Sequence, residues 1–327
     1  MSSALITGGA GFVGLNLARR LLSEGLDVTL IDNFSRGAQD NELRSVVSLP
    51  RATMHDRDLL SAGPYSGMGD GFDYIFHFAA LIGVRNVLNR PYEVLQSNCA
   101  MTVSALAFAA KQRQLKRFVF ASTSEVYAGT LNYFGMTIPT PESTPLTITG
   151  LENPRTTYML SKIYGEALCR HAGCPFSIVR LHNAYGPRMG MDHVIPELLK
   201  KAHTAPSGGE LEVFSVSHRR TFCFIDDVVT QIAAIAGSDK CAGETLNVGN
   251  QEPEVSIQQV AEIVCDTVGK KLRIAPRPET PGSPARRCPD MQRTLALTGC
   301  RGQVDLPEGV RRTYDWYRAN VFQAQAQ

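Results

Sequence analysis

The sequence lacks several features that would assign a class of function directly. Its 327 residues contain no CxxC pair and no run approaching the ~20 apolar residues of a membrane-spanning helix. It also has no large excess of charge of either sign, because 33 Lys and Arg face 31 Asp and Glu, for a net charge of +2. These absences predict no metal site, no membrane partner and no nucleic-acid partner bound through a basic surface.

Eight cysteines are present, and most lie in apolar runs such as Phe222-Cys223-Phe224. This pattern indicates reduced thiols in the core of a cytoplasmic protein. The chain runs from Met1 directly into the apolar stretch Ala4–Ile6, without a charged leader and cleavage site that would direct export. With 43% apolar and 20% charged residues, the composition is typical of a soluble globular protein.

The first half of the chain alternates short β-type runs with segments of helical period, which predicts βαβ units around a doubly wound parallel sheet. We expect this first domain to cover residues 1–180, with a returning segment near 220–248. Residues 181–327 are expected to form a smaller α/β domain. Strands are predicted at 4–6, 28–31, 74–78, 118–121 and 176–180, with helices at 15–22, 92–110 and 156–171. The Pro-rich interval 128–155 is predicted to be a long functional loop.

A glycine-rich turn follows the first strand, with Gly8, Gly11 and Gly14 at GxxGxxG spacing before a helix. Glycines at these positions permit a tight turn, close approach of a diphosphate and close packing of helix on strand. Asp32 ends the second strand and is suited to accept both ribose hydroxyls while repelling the 2′-phosphate of NADP. NAD is therefore the predicted cofactor, although Arg36 is a discordant cation nearby.

Two further groups of polar residues suggest catalysis. Tyr158 and Lys162 are four residues apart on a predicted helix, so that the ammonium is expected to lower the pKa of the phenol. The cluster from Ser122 to Tyr127 follows a strand, where ligands bind in open α/β sheets. Either group alone is also compatible with a surface pair or ordinary turn chemistry. Asp58 is equally compatible with adenine binding and with a solvated loop.

Together these motifs resemble the NAD-dependent nucleotide-sugar epimerase/dehydratase family, which belongs to the extended short-chain dehydrogenases/reductases. The resemblance extends along nearly the whole chain: Thr7 to Gly14, Asp32-Asn33, His77 to Ala80, Asn98, Ser122 to Tyr127, Tyr158 to Lys162, Arg180 to Pro187, Arg220 to Asp227 and Leu246 to Gly249. It implies a Rossmann-type fold with tightly bound NAD, a nucleotide-sugar substrate, with a UDP-sugar favoured, and a homodimer formed through two helices of each subunit.

The resemblance also implies a role for each matching residue. The catalytic residues would be Tyr158, Lys162, Thr123, Ser124 and Glu125. The cofactor would be bound by Gly8, Gly11, Phe12, Val13, Gly14, Asp32, Asn33, Asp58, Leu59, Ala79, Tyr158 and Lys162. The substrate would be bound by Asn183, Arg188, Val213, Arg220 and Arg286, and Arg287 is a further phosphate-binding candidate. Arg286 and Arg287 are equally consistent with solvated loop positions, whereas Arg188 is a weaker candidate for which a structural or interfacial position is favoured.

The residues leave the reaction open after the shared oxidation at C4. Epimerisation is the first expectation, since Tyr158 and Thr123 suffice for it. One alternative is decarboxylation of UDP-glucuronate, because the segment Ser122–Tyr127 resembles the corresponding segment of UDP-glucuronate decarboxylases. The other is 4,6-dehydration, for which Glu125 is retained but the acidic residue before it is replaced by Ser124. A non-catalytic NAD-binding protein is a further alternative on the same fold.

Overall fold

The computed structural model describes residues 2–280 and 282–322. The strands, in chain order, are β1 (Ser3–Thr7), β2 (Asp27–Asp32), β3 (Ala52–Asp56), β4 (Tyr74–His77), β5 (Arg117–Thr123), β6 (Phe176–Leu181), β7 (Ala184–Tyr185), β8 (Glu210–Phe214), β9 (Arg219–Arg220), β10 (Cys223–Phe224), β11 (Thr245–Val248), β12 (Val255–Ser256), β13 (Arg273–Arg277) and β14 (Arg286–Arg287). The α-helices are α1 (Phe12–Ser23), α2 (Asn41–Val47), α3 (Val84–Asn89), α4 (Pro91–Ala109), α5 (Ala128–Phe134), α6 (Pro154–His171), α7 (Val194–Thr204), α8 (Ile225–Gly237), α9 (Ile257–Val268), α10 (Gln292–Thr298) and α11 (Leu306–Tyr317).

A central sheet of seven parallel strands organises the fold, in the order β11-β6-β5-β4-β1-β2-β3. The order reverses beside β1, which is the doubly wound arrangement predicted from the alternating pattern, and it confirms a Rossmann-like α/β fold. The edge strand β11 lies within the segment near 220–248 and pairs with β6. The division of the chain into domains at residue 180 stays a prediction.

The strands are apolar without alternation because both faces of the sheet are covered. In β1, Leu5 belongs to a core with residues of α4 and α6, whereas Ile6 belongs to a core with α1 and α8. Successive side chains of a strand point to opposite faces, so a continuous apolar run contributes to both cores. The sheet is thereby fixed between two helical layers, and the carboxyl ends of its strands share one edge.

Short strands in the second half of the chain assemble beside that edge. Strand β13 pairs with β8, and β9 lies between β12 and β14. The parallel register of β9 and β14 sets Arg220 opposite Arg287. This register, rather than proximity in sequence, brings two cations together.

The interval 128–155 differs from the predicted loop, because it begins with the seven-residue helix α5 after a 3₁₀ turn at Ser124–Tyr127. The helix ends where Gly135 adopts a positive φ of 68°. Its last two residues, Tyr133 and Phe134, are exposed. No amphipathic pattern marks so short a helix, which is why the sequence analysis missed it.

None of the helices in the described ranges is long and apolar enough to cross a membrane.

Candidate active site

A cavity of about 560 Å³ opens at the carboxyl ends of the central strands. It is lined by all twelve residues that the resemblance assigns to the cofactor: Gly8, Gly11, Phe12, Val13, Gly14, Asp32, Asn33, Asp58, Leu59, Ala79, Tyr158 and Lys162. These residues come from five separate stretches of the chain, and the parallel sheet brings them to one edge. The structure thus collects the predicted cofactor residues around one space.

The glycine-rich turn has the geometry of a phosphate cradle. Gly8 has φ +71°, and a Cβ there would lie 2.8 Å from the Ala79 amide nitrogen, while a Cβ on Gly14 would overlap the Gly8 carbonyl. Gly11 precedes α1 and offers no side-chain cap, so the first amides of the helix face the cavity without a competing acceptor from the cap. A helix N-terminus of this kind binds a diphosphate.

Asp32 is held by the backbone at the end of β2. Its Oδ2 accepts from the Ala10 amide at 3.0 Å and its Oδ1 from the Phe34 amide at 2.8 Å. Burial raises the pKa of Asp32, and these two hydrogen bonds partly oppose that rise. Each oxygen retains a lone pair that can accept from a ribose hydroxyl, so these acceptors fit the adenosine ribose of NAD. Asp58 instead caps the next turn by accepting from the Leu60 amide at 2.9 Å.

Helix α6 brings Tyr158 and Lys162 to the cavity because it packs very close to β5. Gly165 allows this approach, since a Cβ there would overlap the ring of Phe120. As a result, the Lys162 ammonium donates to the Ala121 carbonyl at 2.8 Å and lies 5.9 Å from the centroid of the Tyr158 ring. Burial lowers the pKa of Lys162 to about 8.

The direction of the Tyr158 pKa differs from the expectation. Burial raises the pKa of the phenol, the charge of Glu125 raises it further, and a hydrogen bond with Thr123 lowers it. Lys162 is not among the groups that act on this pKa. For these residues alone the pKa of Tyr158 is raised, because desolvation of the phenolate is the largest cause. The lowering expected from Lys162 together with bound NAD stays a prediction. Tyr158 is a neutral phenol at pH 7.

A second set of groups lies beside Thr123. The Thr123 hydroxyl accepts from the Glu125 amide at 3.2 Å, which fixes the 3₁₀ turn after β5. The Glu125 carboxylate in turn accepts from the Arg287 guanidinium at 2.6 Å. Arg287 is the main cause that lowers the pKa of Glu125, with Arg155 and Arg220 contributing. Three guanidinium charges therefore act on one carboxylate, that of Arg287 through a direct hydrogen bond, while the neighbouring Ser124 is buried.

The other predicted substrate residues are placed as follows. Arg220 is nearly buried and donates to the Ser283 hydroxyl at 3.0 Å, and its pKa falls to about 10 through burial and the charge of Arg287. Asn183 donates to the Thr221 carbonyl at 2.9 Å. Val213 lies buried in β8.

Two predicted arginines lie away from Glu125. Arg286 donates to Glu254 at 2.6 Å, whereas its neighbour Arg287 reaches Glu125. Arg188 donates to Asp40 at 2.6 Å and to the Ala10 carbonyl at 2.7 Å, and it lines the cofactor cavity. Arg188 therefore contacts the glycine-rich turn of the cofactor cavity, and Arg287, rather than Arg286, lies beside Glu125. Arg155, which also acts on Glu125, stands in no motif of the sequence that marks it as part of the site.

Comparisons with known proteins agree with this geometry. A family model described as the NAD dependent epimerase/dehydratase family matches residues 4–249. A UDP-N-acetyl-alpha-D-glucosaminuronate decarboxylase from Bacillus cytotoxicus is 30% identical over 328 residues, covering 96% of this chain and 97% of the relative. UDP-glucuronic acid decarboxylase 1 of Xenopus tropicalis is 29% identical, covering 97% of this chain and 72% of the relative.

Among solved structures, the UDP-glucuronic acid 4-epimerase of Bacillus cereus, in complex with UDP-glucuronic acid and NAD, superposes with a TM-score of 0.83. It is 26% identical, and the match covers 97% of this chain and 99% of that structure. The family model, the seven-strand sheet and the cofactor cavity agree with one another. The chain is therefore an NAD-dependent enzyme that belongs to the NAD dependent epimerase/dehydratase family.

Proposed function

We propose that this protein oxidises C4 of a UDP-linked uronic acid and then decarboxylates the resulting 4-keto sugar. The observation that carries the proposal is the Glu125–Arg287 ion pair beside Thr123 and Tyr158. Two of the compared relatives are named as decarboxylases of a UDP-linked uronic acid, which also favours decarboxylation over epimerisation.

The first step rests on Tyr158, Thr123 and Lys162. The Thr123 hydroxyl, hydrogen-bonded to Tyr158, would orient the 4-hydroxyl of the sugar toward the phenol oxygen. NAD, when bound, accepts the hydride from C4 and later returns it, and its positive ring favours the phenolate. Tyr158 then removes the hydroxyl proton as the C4–H bond breaks, and the sugar becomes a ketone.

The charge around Glu125 supports an anionic substituent on the sugar. Arg155, Arg220 and Arg287 all act on one carboxylate, so positive charge remains uncompensated on this side of the site. A nucleotide diphosphate would account for part of it. A carboxylate at C5 of the sugar would account for the remainder, because guanidinium groups bind carboxylates through paired N–H donors.

Decarboxylation then needs little further chemistry from the protein. The bond between C5 and the carboxylate breaks, CO₂ leaves, and the electron pair moves into the 4-keto group as an enolate that the neutral Tyr158 phenol can protonate. Transfer of a solvent proton to C5 restores the ketone and returns the phenol proton, and the hydride then returns to C4. A 4,6-dehydration would need an acid for the departing 6-hydroxyl. Glu125 is not suited to be this acid, because Arg287 lowers its pKa and keeps it anionic at pH 7, and the neighbouring Ser124 is buried. Dehydration is therefore less favoured than decarboxylation.

The second candidate is 4-epimerisation of the same class of substrate. It is supported by the superposition with a UDP-glucuronic acid 4-epimerase. It requires the 4-keto sugar to rotate, so that the hydride returns to the opposite face of C4. In this case the three arginines would hold the carboxylate in place and prevent its loss. Both candidates share the oxidation at C4.

Product analysis separates the candidates. The purified enzyme is incubated with UDP-glucuronate, UDP-N-acetylglucosaminuronate and UDP-glucose, and the products are analysed by mass spectrometry and NMR. Loss of CO₂ from either uronate is the expected result. Unchanged mass with inversion at C4 would favour the epimerase, loss of water the dehydratase, and no reaction with any nucleotide sugar would favour the binding-only alternative.

We also propose that the enzyme is a cytoplasmic homodimer. Helices α4 and α6 pack side by side, and their outer faces expose Tyr92, Val103 and Tyr164. Apolar side chains exposed on adjacent helices are typical of an interface between subunits. Light scattering after size exclusion tests this, with Val103→Glu expected to yield monomers.

A further inference from the structure

The cofactor cavity is lined by several cations that differ in whether their charge is already used. They are Arg36, Arg57, Arg90, Lys162 and Arg188. NAD carries two negative charges on its diphosphate, and the amides at the start of α1 supply dipoles but no full positive charge. Any full positive charge on the diphosphate must therefore come from one of these side chains.

Four of the five cations are engaged by the protein itself. Arg57 donates to the Ser66 carbonyl at 2.7 Å, and Arg90 is paired with Glu93. Lys162 donates to the Ala121 carbonyl at 2.8 Å, and Arg188 is bound by Asp40 and two carbonyls. Within residues 2–280 and 282–322, Arg36 is the cation of this cavity that has neither a hydrogen bond nor an ion pair.

Arg36 lies between two loops that border the cavity. A Cβ built on Gly83, at the start of α3, would be 3.9 Å from the Arg36 guanidinium carbon. A Cβ built on Gly190, in the loop before α7, would be 3.8 Å from its Nη2. The charge of Arg36 acts on Tyr158 and on His193, both of which line the same space. Its guanidinium therefore faces the interior of the cavity and lies close to both glycines.

Arg36 does not accompany the ribose site. Among the arginines, Arg188 has the largest effect on the pKa of Asp32, which it lowers. A cation that binds the 2′-phosphate of NADP would lie beside Asp32, the residue suited to bind the ribose hydroxyls. The discordant Arg36 of the sequence is thus directed toward another part of the cofactor.

We propose that Arg36 binds the diphosphate of NAD from the open side of the cavity, opposite the amides at the start of α1, and so retains the cofactor between turnovers. Retention matters because the reaction borrows a hydride and returns it, and cofactor lost midway would leave an oxidised sugar. A guanidinium presents a fork of N–H donors that matches phosphate oxygens.

The test compares Arg36→Ala and Arg36→Lys with the wild type, and uses Arg44→Ala as the matched control. Arg44 is an exposed arginine of the nearby helix α2 that does not line the cavity. The NAD content of each protein as purified is measured after denaturation. Dissociation constants for NAD, ADP-ribose, NADP and adenosine are then measured by calorimetry on protein depleted of cofactor.

Arg36→Ala is expected to weaken NAD and ADP-ribose equally, by about ten-fold, and to leave adenosine unchanged. Arg36→Lys should lie between Arg36→Ala and the wild type, since it keeps the charge but not the fork. Two outcomes would overturn the proposal: a loss confined to NADP, which would assign Arg36 to the 2′-phosphate, and an equal loss for adenosine, which would indicate a structural role. Unchanged constants for all four ligands would also overturn it. Thermal melting without ligand verifies that each variant is folded.

Discussion

On the proposed function, replacing Glu125 with Gln should separate the oxidation at C4 from the decarboxylation that follows. The substitution keeps the size of the side chain and removes the charge that pairs with Arg287. Because the charge of Glu125 raises the pKa of Tyr158, its removal should lower that pKa. The acid limb of the oxidation rate should therefore move to lower pH, while decarboxylation slows.

The expected loss of stability is small. The Glu125 side chain is 42% exposed and that of Arg287 19%, so solvent screens the pair and it contributes less than ~1 kcal/mol to the free energy of unfolding. The folded-state pKa of Glu125 is lowered, so this contribution is present above the unfolded pKa and is lost as the pH falls through the folded value. Wild type and Glu125→Gln should thus become equally stable in acid.

The expected loss of activity is much larger. Without the Glu125 charge, Arg287 is free to bind the carboxylate of the sugar and to oppose its loss as CO₂. A hydrogen bond to a charged group contributes ~1.5–3 kcal/mol, so release of CO₂ should fall by about 10- to 100-fold. In a single turnover with UDP-glucuronate, NADH absorbance should rise in the variant and persist, because the 4-keto sugar accumulates. Glu152→Gln, on an exposed residue before α6, is the control. Release of CO₂ from Glu125→Gln at the wild-type rate would refute the assignment of Glu125 and Arg287 to the second step.

Three other substitutions test the oxidation itself. Tyr158→Phe should abolish turnover with every substrate while NAD content stays at the wild-type level; measurable turnover would contradict the role of the phenol. Thr123→Val removes the hydrogen bond that lowers the pKa of Tyr158, so the acid limb of the pH–rate profile should shift to higher pH, and Thr123→Ser should restore it. Lys162→Met should raise the melting temperature at pH 7 by a few degrees while activity falls, because burial lowers the pKa of this ammonium to about 8 and its charged form opposes folding. The stability of the wild type should accordingly rise with pH between about 8 and the unfolded value of ~10.4, a trend that urea titrations at several pH values would detect.

The cofactor half of the site could be predicted because its signals are local. The turn from Gly8 to Gly14 joins one strand to one helix, and Asp32 ends the next strand, so each residue's place follows from the element that carries it. The parallel sheet then brings the strand ends together without further information. For this reason all the predicted cofactor residues line one cavity.

The substrate half could not be predicted in the same way. Arg286 and Arg287 are neighbours in a strand, so their side chains point to opposite faces, and one meets Glu254 while the other meets Glu125. Which of them faces the site depends on the register of β14 against β9, which no local pattern specifies. The direction of the Tyr158 pKa was missed for a related reason, since it depends on burial in the folded protein.

The register of β9 and β14 also separates the two halves of the reaction along the chain. Every residue that lines the cofactor cavity precedes position 194. The partner of Glu125, in contrast, is Arg287, which lies in the two-residue strand β14, 162 positions after Glu125. On the proposed function, the residues of the oxidation therefore lie in one segment of the chain, whereas Arg287, the partner of Glu125, lies in another. A substitution or short insertion in β14 is therefore expected to change the product and to leave the cofactor cavity intact, so that new products could arise in this fold without a new cofactor site.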